Sequence, residues 1–539
     1  MTRKSYFLVG IFALALVFAG VSLFNSNNVS AAATKQVIRI GNGVEPKDLD
    51  CHKVTGVPED VLLRQLFEPL VARAAKDLHP IPGVAEKWTI SKDGKEYTFK
   101  LRANAKWSNG EPVVAQDFVD GWRRLLDPKT ASEYAYYGYY LKNGEAINTG
   151  KIKDPSQLGA KAINATTLQV TLEHPTPYFL ALLDHYTYYP IYLKTIQKNG
   201  DRWTRPENFV GNGAYKLQTW EINKVITMIK SPTYWDAANV KIDEASFYPI
   251  DNLDTEEKMF RTKQLDVTRE IPPEKLPSWQ KDKSGVFISA DYLGVYYFRL
   301  NVTKGVLKDK RVRRALNLAI DRSRIVKFVA RGNQEPAQAY TPPGTGGYQP
   351  AKVLPSDGSG FAEAKKLLAE AGYPGGKNFP LIEILYNTQE IHKKLAEAVQ
   401  AMWKENLGIN VGIVNQEWKV YLNSMKTLNY DVARSGWIGD FNDPDTFLVN
   451  FTSTNGNNQT GYANPVYDKF VFDSQKEQDQ KKRFALFAKA EAQLLEDLPV
   501  VPIYIWRRNY LKAKNVQGWE PNIQDLHSLK DVWIDASIK

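Results

Sequence analysis

The sequence predicts an α/β protein built from more than one domain, on three observations. A chain of 539 residues is longer than one hydrophobic core usually organises. From about residue 294 onward, stretches with a 3.6-residue apolar period alternate with short strand-length runs, the pattern of a sheet flanked by helices. No repeat, low-complexity tract or Pro/Gly/Ser-rich linker interrupts the chain, so it is expected to cross between its domains more than once. With 43% hydrophobic and 24% charged residues, the composition is that of a globular protein and not of a disordered one.

The elements follow in order. Residues 1–31 have the form of a secretory signal. Arg3 and Lys4 precede the apolar run Phe7–Phe24, and Val29-Ser30-Ala31 offers small residues for cleavage before Ala32 or one or two residues later. An uncleaved anchor is the competing reading, because the run approaches the ~20 residues that span a bilayer. No cysteine stands at the cleavage site, so no lipid is expected there. Val37, Ile38 and Ile40 suggest a first strand within 33–42, and a helix is expected over Glu59–Leu66. A strand-rich region follows to about Pro190. In it, Trp88–Ile90 and Glu96–Arg102 flank the turn Lys92-Asp-Gly-Lys95 as a hairpin, and Ala115–Leu126 places Phe118, Trp122 and Leu125 on one helical face. Strands are expected at Tyr215–Trp220 and Lys224–Lys230. Helices are expected at Asp309–Ala330, Phe361–Ala371 (stopped by Gly372 and Pro374), Ile391–Leu407 (stopped by Gly408) and Gln478–Leu495. Strands Leu381–Tyr386, Asn410–Val414 and Tyr430–Trp437 lie between them, and Pro499–Tyr510 closes the fold.

Several kinds of chemistry find no support. One cysteine, Cys51, excludes an intrachain disulfide and is expected to be a buried or half-buried free thiol. The six histidines show no metal-ligand spacing, and no metal or cofactor is expected. Of these only His392 draws interest, at a helix start where a histidine is ordinarily exposed. No nucleophile elbow, Walker loop, zinc-protease or dinucleotide motif is present, although a catalytic triad is set by geometry and not by spacing. The net charge of +10, or +8 without Arg3 and Lys4, is modest for the length. The basic cluster Lys310–Arg314 is expected to be the solvated face of its helix, and no nucleic-acid module is seen.

The stretch Asp431–Phe447 is the most suggestive. It alternates as a strand, with Val432, Arg434 and Gly436 on one side and Ala433, Ser435 and Trp437 on the other, and ends in a turn of Gly, Asn, Asp and Pro. Arg434 is expected near Trp437, with Asp440 just past the strand end. A cation, a flat aromatic and an anion in so few residues suit a binding wall; an ordinary strand with solvated charges is the plainer reading.

Ordered motifs then extend the pattern over nearly the whole mature chain. They include Leu49-Asp-Cys-His-Lys-Val-Thr-Gly-Val-Pro58, Leu66-Phe-Glu-Pro-Leu70, Ala105-Lys-Trp-Ser-Asn-Gly-Glu-Pro-Val113 with Gln116-Asp-Phe118, and Gly211-Asn-Gly-Ala-Tyr215. Arg311-Val-Arg-Arg-Ala-Leu316, Leu385-Tyr-Asn-Thr388 with His392-Lys-Lys394, Asn415-Gln-Glu-Trp-Lys419 and Val501-Pro-Ile-Tyr504 continue them. In these motifs the chain resembles the periplasmic oligopeptide-binding proteins of ABC importers. The resemblance implies a two-lobed α/β binding protein of the large, type II (cluster C) kind, with three domains and a ligand cleft between lobes. Domain I would comprise 32–68, 191–293 and 508–539, domain II 69–190, and domain III 294–507. No catalysis is implied. The implied partners are short peptides, murein peptides among them, and an inner-membrane permease and ATPase, for a periplasmic and monomeric receptor. A secreted hydrolase and a peptide sensor or holding protein on the same scaffold are the alternatives.

The resemblance also assigns roles. Asp440 would pair with a peptide's α-ammonium, and backbone around Arg434, Gly436 and Ile438 and around Thr55 and Val57 would take the peptide as an added strand. Aromatics Tyr137, Tyr297, Trp418, Trp437 and Trp506 would wall side-chain pockets, where the residues alone suggest core packing. Asn387 and His392 fall in matched motifs. The sequence departs from the family's pattern in several places. Thr55 and Arg299 stand where members carry acids, Ala330 (beside Arg331) where a lysine stands, Met425 (beside Lys426) where another basic residue stands, and Gly294 and Ile438 where a pair of cysteines forms a disulfide. Less cationic or more acidic ligands are expected as a result, unless Arg299 only pairs with a neighbouring carboxylate.

Overall fold

The computed structural model describes residues 35–538, so the signal segment and its cleavage site lie outside the described residues. Three sheets organise those residues. A four-stranded sheet runs in the order Val37–Gly41, Glu244–Tyr248, Val225–Lys230, Tyr215–Glu221; the first pair is parallel and the rest antiparallel. It joins chain segments about 200 residues apart, which is why no linker marks the sequence. A second, wholly antiparallel sheet has the order Ala85–Ile90, Glu96–Leu101, Thr167–Thr171, Ala160–Asn164, and its first pair is the expected hairpin. The helix Ala115–Leu126 packs beside it and buries Phe118, Trp122 and Leu125, as the period predicts.

The third sheet has six strands: Glu335–Pro336, Val500–Leu511, Phe287–Leu300, Val432–Ile438, Ile382–Asn387 and Val411–Gln416. Its last three strands run parallel to one another, and the remaining neighbours are antiparallel. The parallel part is covered by the helix Glu390–Leu407, which buries Leu395, Val399 and Trp403 and ends at Gly408 with φ +73°, a conformation glycine adopts without strain. The long strands Phe287–Leu300 and Val500–Leu511 also reach the first sheet's neighbourhood, where Val267 bridges Ile40 on one side and Lys512 on the other. Their pairing is interrupted between Asp291 and Val295, and Tyr292, Leu293 and Gly294 fall in the gap.

Some expectations are corrected. The helix expected over Asp309–Ala330 is two: Lys310–Leu318 and Arg322–Ile325, the second continuing into a single π turn, Val326–Ala330. Asp321 breaks it by accepting a hydrogen bond from Arg324 N at 2.8 Å, as Asp309 does from Arg311 N for the first piece. Arg313 does not belong to a solvated face. It is buried and donates to the carbonyls of Leu307, Lys308 and Asp497, whereas Arg311 is exposed. The first helix starts at Val57 with Pro58 in its opening turn, and the last helix spans Gln480–Asp497 behind an unforeseen one, Pro465–Lys476.

Candidate functional site

The strand Val432–Ile438 is hydrogen-bonded along its whole length to Gly294–Leu300, but on its other side it pairs only at Val432 and Ala433. From Arg434 to Ile438 no strand pairs with that edge, and the Tyr421 hydroxyl donates to the Arg434 carbonyl. The edge borders a cavity of about 230 Å³, whose lining includes this edge, the segment Thr55–Pro58, the crossing strands at Tyr292 and Trp506, and the helix Trp418–Lys426.

The sequence-predicted residues divide by position. Thr55, Val57, Arg299, Asn387, His392, Trp418, Arg434, Gly436, Trp437, Ile438, Asp440 and Trp506 all line the cavity. Tyr137 and Tyr297 do not; both are fully buried behind its wall, Tyr137 donating to the Asp440 carboxylate and Tyr297 accepting from Arg299 at 3.2 Å. Arg434 and Trp437 border the same cavity from opposite faces of the strand. Arg434 stacks its guanidinium 5.0 Å above Tyr296 and 5.7 Å above Trp506, and Trp437 lies 6.2 Å from Tyr134. His392 is buried, contrary to the exposure expected of a helix start, because its ring sits against Tyr296. Burial, then the Arg434 charge, holds its pKa well below the usual imidazole value. Ala330 and Arg331 lie away from this cavity, Arg331 exposed and donating to the Phe328 carbonyl, whereas Met425 lines it. Gly294 and Ile438 face each other directly across the strands.

Asp440 follows the strand end in a pinned loop. Its N–H donates to Thr446 Oγ1 at 3.0 Å, its carbonyl accepts from Arg73 Nη2 at 2.7 Å, and Gln524 holds the preceding carbonyl of Gly439. Its carboxylate takes the Tyr137 hydroxyl and lies 3.6 Å from His185 Nε2, with no lysine or arginine in ion-pair range among the described residues. Burial pushes its pKa up to about 7; Tyr137 and Arg73 partly offset this, and Asp60 adds to it. His185 is neutral, its pKa well lowered by burial and then by Arg73 and Arg64. His185, Arg73, Tyr134 and Gln524 were not singled out in the sequence. They come from segments more than 80 residues from Asp440, hundreds for His185, Arg73 and Tyr134, and no spacing signals such a meeting.

Charge along the lining is uneven. Of its six arginines, Arg64 and Arg73 contact Asp184, and Arg269 and Arg508 contact Asp525. Arg299 and Arg434 touch no carboxylate within ion-pair range among the described residues; Arg434 donates to Asn387 Oδ1 at 3.1 Å. Arg299 thus does not pair with a neighbouring acid. Trp418 is fixed by a hydrogen bond of 3.2 Å to Glu59, whose carboxyl burial pushes up to about 7, and stacks on Tyr421. Asp50, Cys51 and His52 bring ligand-type atoms within 4.8 Å of one another, but Arg124 and Trp203 hold both Asp50 oxygens, so the cluster is already neutralised as an ion pair.

The region carrying Asp440 and the region of the antiparallel sheet are joined by further side-chain bonds. Tyr140 and Tyr178 donate to Asp445 at 2.5 and 2.9 Å, and Gln459 donates to Glu133 at 2.6 Å.

Comparison with known proteins bears on this arrangement. Residues 79–459 match the family described as bacterial extracellular solute-binding proteins, family 5 Middle. The chain is 41% identical over 541 residues to the periplasmic oligopeptide-binding protein OppA of Salmonella typhimurium, covering 99% of this chain and 98% of that one. Among solved structures, that of the Escherichia coli murein tripeptide-binding protein MppA matches with a TM-score of 0.90 at 38% identity, covering 93% of this chain and 99% of that one. Haemophilus influenzae OppA in complex with the peptide RPPGFSPFR matches with a TM-score of 0.89 at 40% identity, covering 94% and 99%. The unliganded open form of MppA gives 0.63 at the same 38% identity, covering 93% and 98%.

Proposed function

The chain belongs to the bacterial extracellular solute-binding proteins of family 5, and on that premise we propose that it is a periplasmic receptor that captures short peptides between two closing lobes and delivers them to an ABC importer. One observation carries the reading: a strand edge, Arg434–Ile438, that no other strand pairs borders a cavity whose nearby end holds a carboxylate with no lysine or arginine in ion-pair range among the described residues. A peptide supplies what each lacks. Its backbone amides complete the edge as an added strand, and its α-ammonium pairs with Asp440. Main-chain pairing is indifferent to side-chain identity, so breadth is expected, with Trp418, Trp437 and Trp506 as pocket walls.

The division into domain I (32–68, 191–293, 508–539), domain II (69–190) and domain III (294–507) is part of this proposal, supported by the three sheets and by the paired strands that pass between the first and third. The closer match to one MppA structure than to its unliganded open form supports a closed arrangement here. Relatives named as periplasmic binding proteins support export and a binding role, and the proposal adds removal of residues 1–31 without lipidation and handover by a monomer to an inner-membrane permease and ATPase. No helix among the described residues is long and apolar enough to cross a membrane. Native mass spectrometry of protein purified without denaturation is expected to show a bound short peptide, recovered intact. Calorimetry with tripeptides is expected to show binding that N-acetylation weakens by about a hundredfold. Turnover of the peptides, or indifference to acetylation, would overturn the reading.

A further inference from the structure

Arg299 is a lining cation that neither the peptide backbone nor the ammonium explains. It is 4% exposed and spends four N–H groups on neutral acceptors: Ser435 Oγ at 3.1 Å, the Asn457 carbonyl at 2.7 Å, Gln459 Oε1 at 3.2 Å and the Tyr297 hydroxyl at 3.2 Å. A guanidinium has five such donors and keeps its charge at any working pH. One N–H on Nη2 therefore has no acceptor among the described residues. The nearest acid in the network, Glu133, is one residue removed and already engaged by Gln459 and, at 3.8 Å, by Lys426.

A buried arginine without a carboxylate is not by itself a binding group, as Arg322 illustrates. That side chain is fully buried, but it is surrounded by the carbonyls of Pro502, Asn317, Ile320 and Pro355 and the Asn317 side chain, and it does not line the cavity. Arg299 does line it, beside Met425, Asn457 and Gln459. Its place on the sheet says which part of a ligand it would meet. Arg299, Tyr297 and Val295 pair with Ala433, Ser435 and Trp437, so Arg299 shares their face, opposite the face of Arg434. A peptide paired to the edge Arg434–Ile438 keeps its backbone along that edge and sends alternate side chains to the two faces. A group that reaches Arg299 is then a side chain and not the chain end.

We propose that Arg299 seats a carboxylate-bearing side chain, so that the protein prefers peptides with Asp or Glu at one position over their amide counterparts. The proposal rests on the peptide-receptor reading above. The test is calorimetry at pH 7 with trialanine and with variants carrying Glu or Gln at each position, each as free acid and as C-terminal amide. The expected result is that at one position Glu binds at least about tenfold more tightly than Gln, as a charge-assisted hydrogen bond affords, that the preference survives amidation, and that it vanishes in Arg299→Gln while Arg299→Lys keeps part of it. Trialanine binding without a Glu preference at any position overturns the proposal and leaves the peptide reading standing. A preference lost on amidation also overturns it, because the carboxylate is then the terminal one. Failure of every peptide to bind removes both. Should Arg299→Gln fail to fold, as its melting curve would show, the wild-type comparisons decide alone.

Discussion

A carboxylate held by tyrosine hydroxyls, with no lysine or arginine in ion-pair range among the described residues, is costly in a desolvated site, and the fold fixes Asp440 in that condition through bonds to its backbone, from Arg73 and Thr446. Two consequences belong to this residue. Asp440→Asn is expected to weaken peptides with a free N-terminus by about a hundredfold or more, in line with the ~3–5 kcal/mol lost when a buried pair is stripped of one partner; calorimetry should show little change for N-acetylated peptides. The second concerns protons. In the closed, ligand-free protein this carboxyl holds its proton up to about pH 7, against about 3.9 when solvated. Between those values closure without ligand takes up a proton, so raising the pH weakens it, whereas an arriving ammonium favours the ionised form. At pH 6 binding should therefore release about one proton from the closed, ligand-free form and none from the open form, so a calorimetric enthalpy that varies with the ionisation enthalpy of the buffer reports how much of the free protein is closed. The position of Asp440 after a strand was legible in the sequence, and its role was implied by the resemblance. Its surroundings were not legible: Arg73, Tyr137 and His185 lie more than 250 residues away, and contacts over that separation leave no local pattern.

At the scale of elements, the periodic pieces were read correctly where one face meets water. The helix Ala115–Leu126 and the strand Glu96–Leu101 show this. The long strand Phe287–Leu300 escaped because from Tyr292 onward every residue is buried, and a strand covered on both faces has no alternation to detect. The helix expected over Asp309–Ala330 was misread as one because its apolar period continues across Asp321, where the cap interrupts it. Asp321→Ala is expected to cost about 1 kcal/mol of stability in urea denaturation, the usual worth of such a cap. The facing pair Gly294 and Ile438 sits beside the interruption in the long strands. Directly opposed antiparallel residues lie within disulfide reach, so the double variant Gly294→Cys, Ile438→Cys should close a crosslink on oxidation, seen as a 2 Da mass loss (about two hydrogens) and a higher melting temperature than in reductant.

At the scale of the whole molecule, the side-chain bonds across the cleft work against opening. Tyr140 and Tyr178 hold Asp445 from the other side, and removing both hydroxyls should cost the closed form about 1–3 kcal/mol. In the double variant Tyr140→Phe, Tyr178→Phe, small-angle scattering is expected to give a larger radius of gyration than wild type without ligand and the same radius at saturating peptide. Equal radii in both conditions would mean that these bonds do not govern closure. A different feature acts on the molecule's entire lifetime. Cys51, the sole cysteine, is fully buried, and burial raises its thiol pKa far above the range in which it reacts. Its sulfur therefore meets reagent only when the surrounding core comes apart. A thiol dye should leave the folded protein dark and label it at the rate of global unfolding. The lone sulfur thus serves as a clock that counts how often the molecule falls open, with no residue altered to install it.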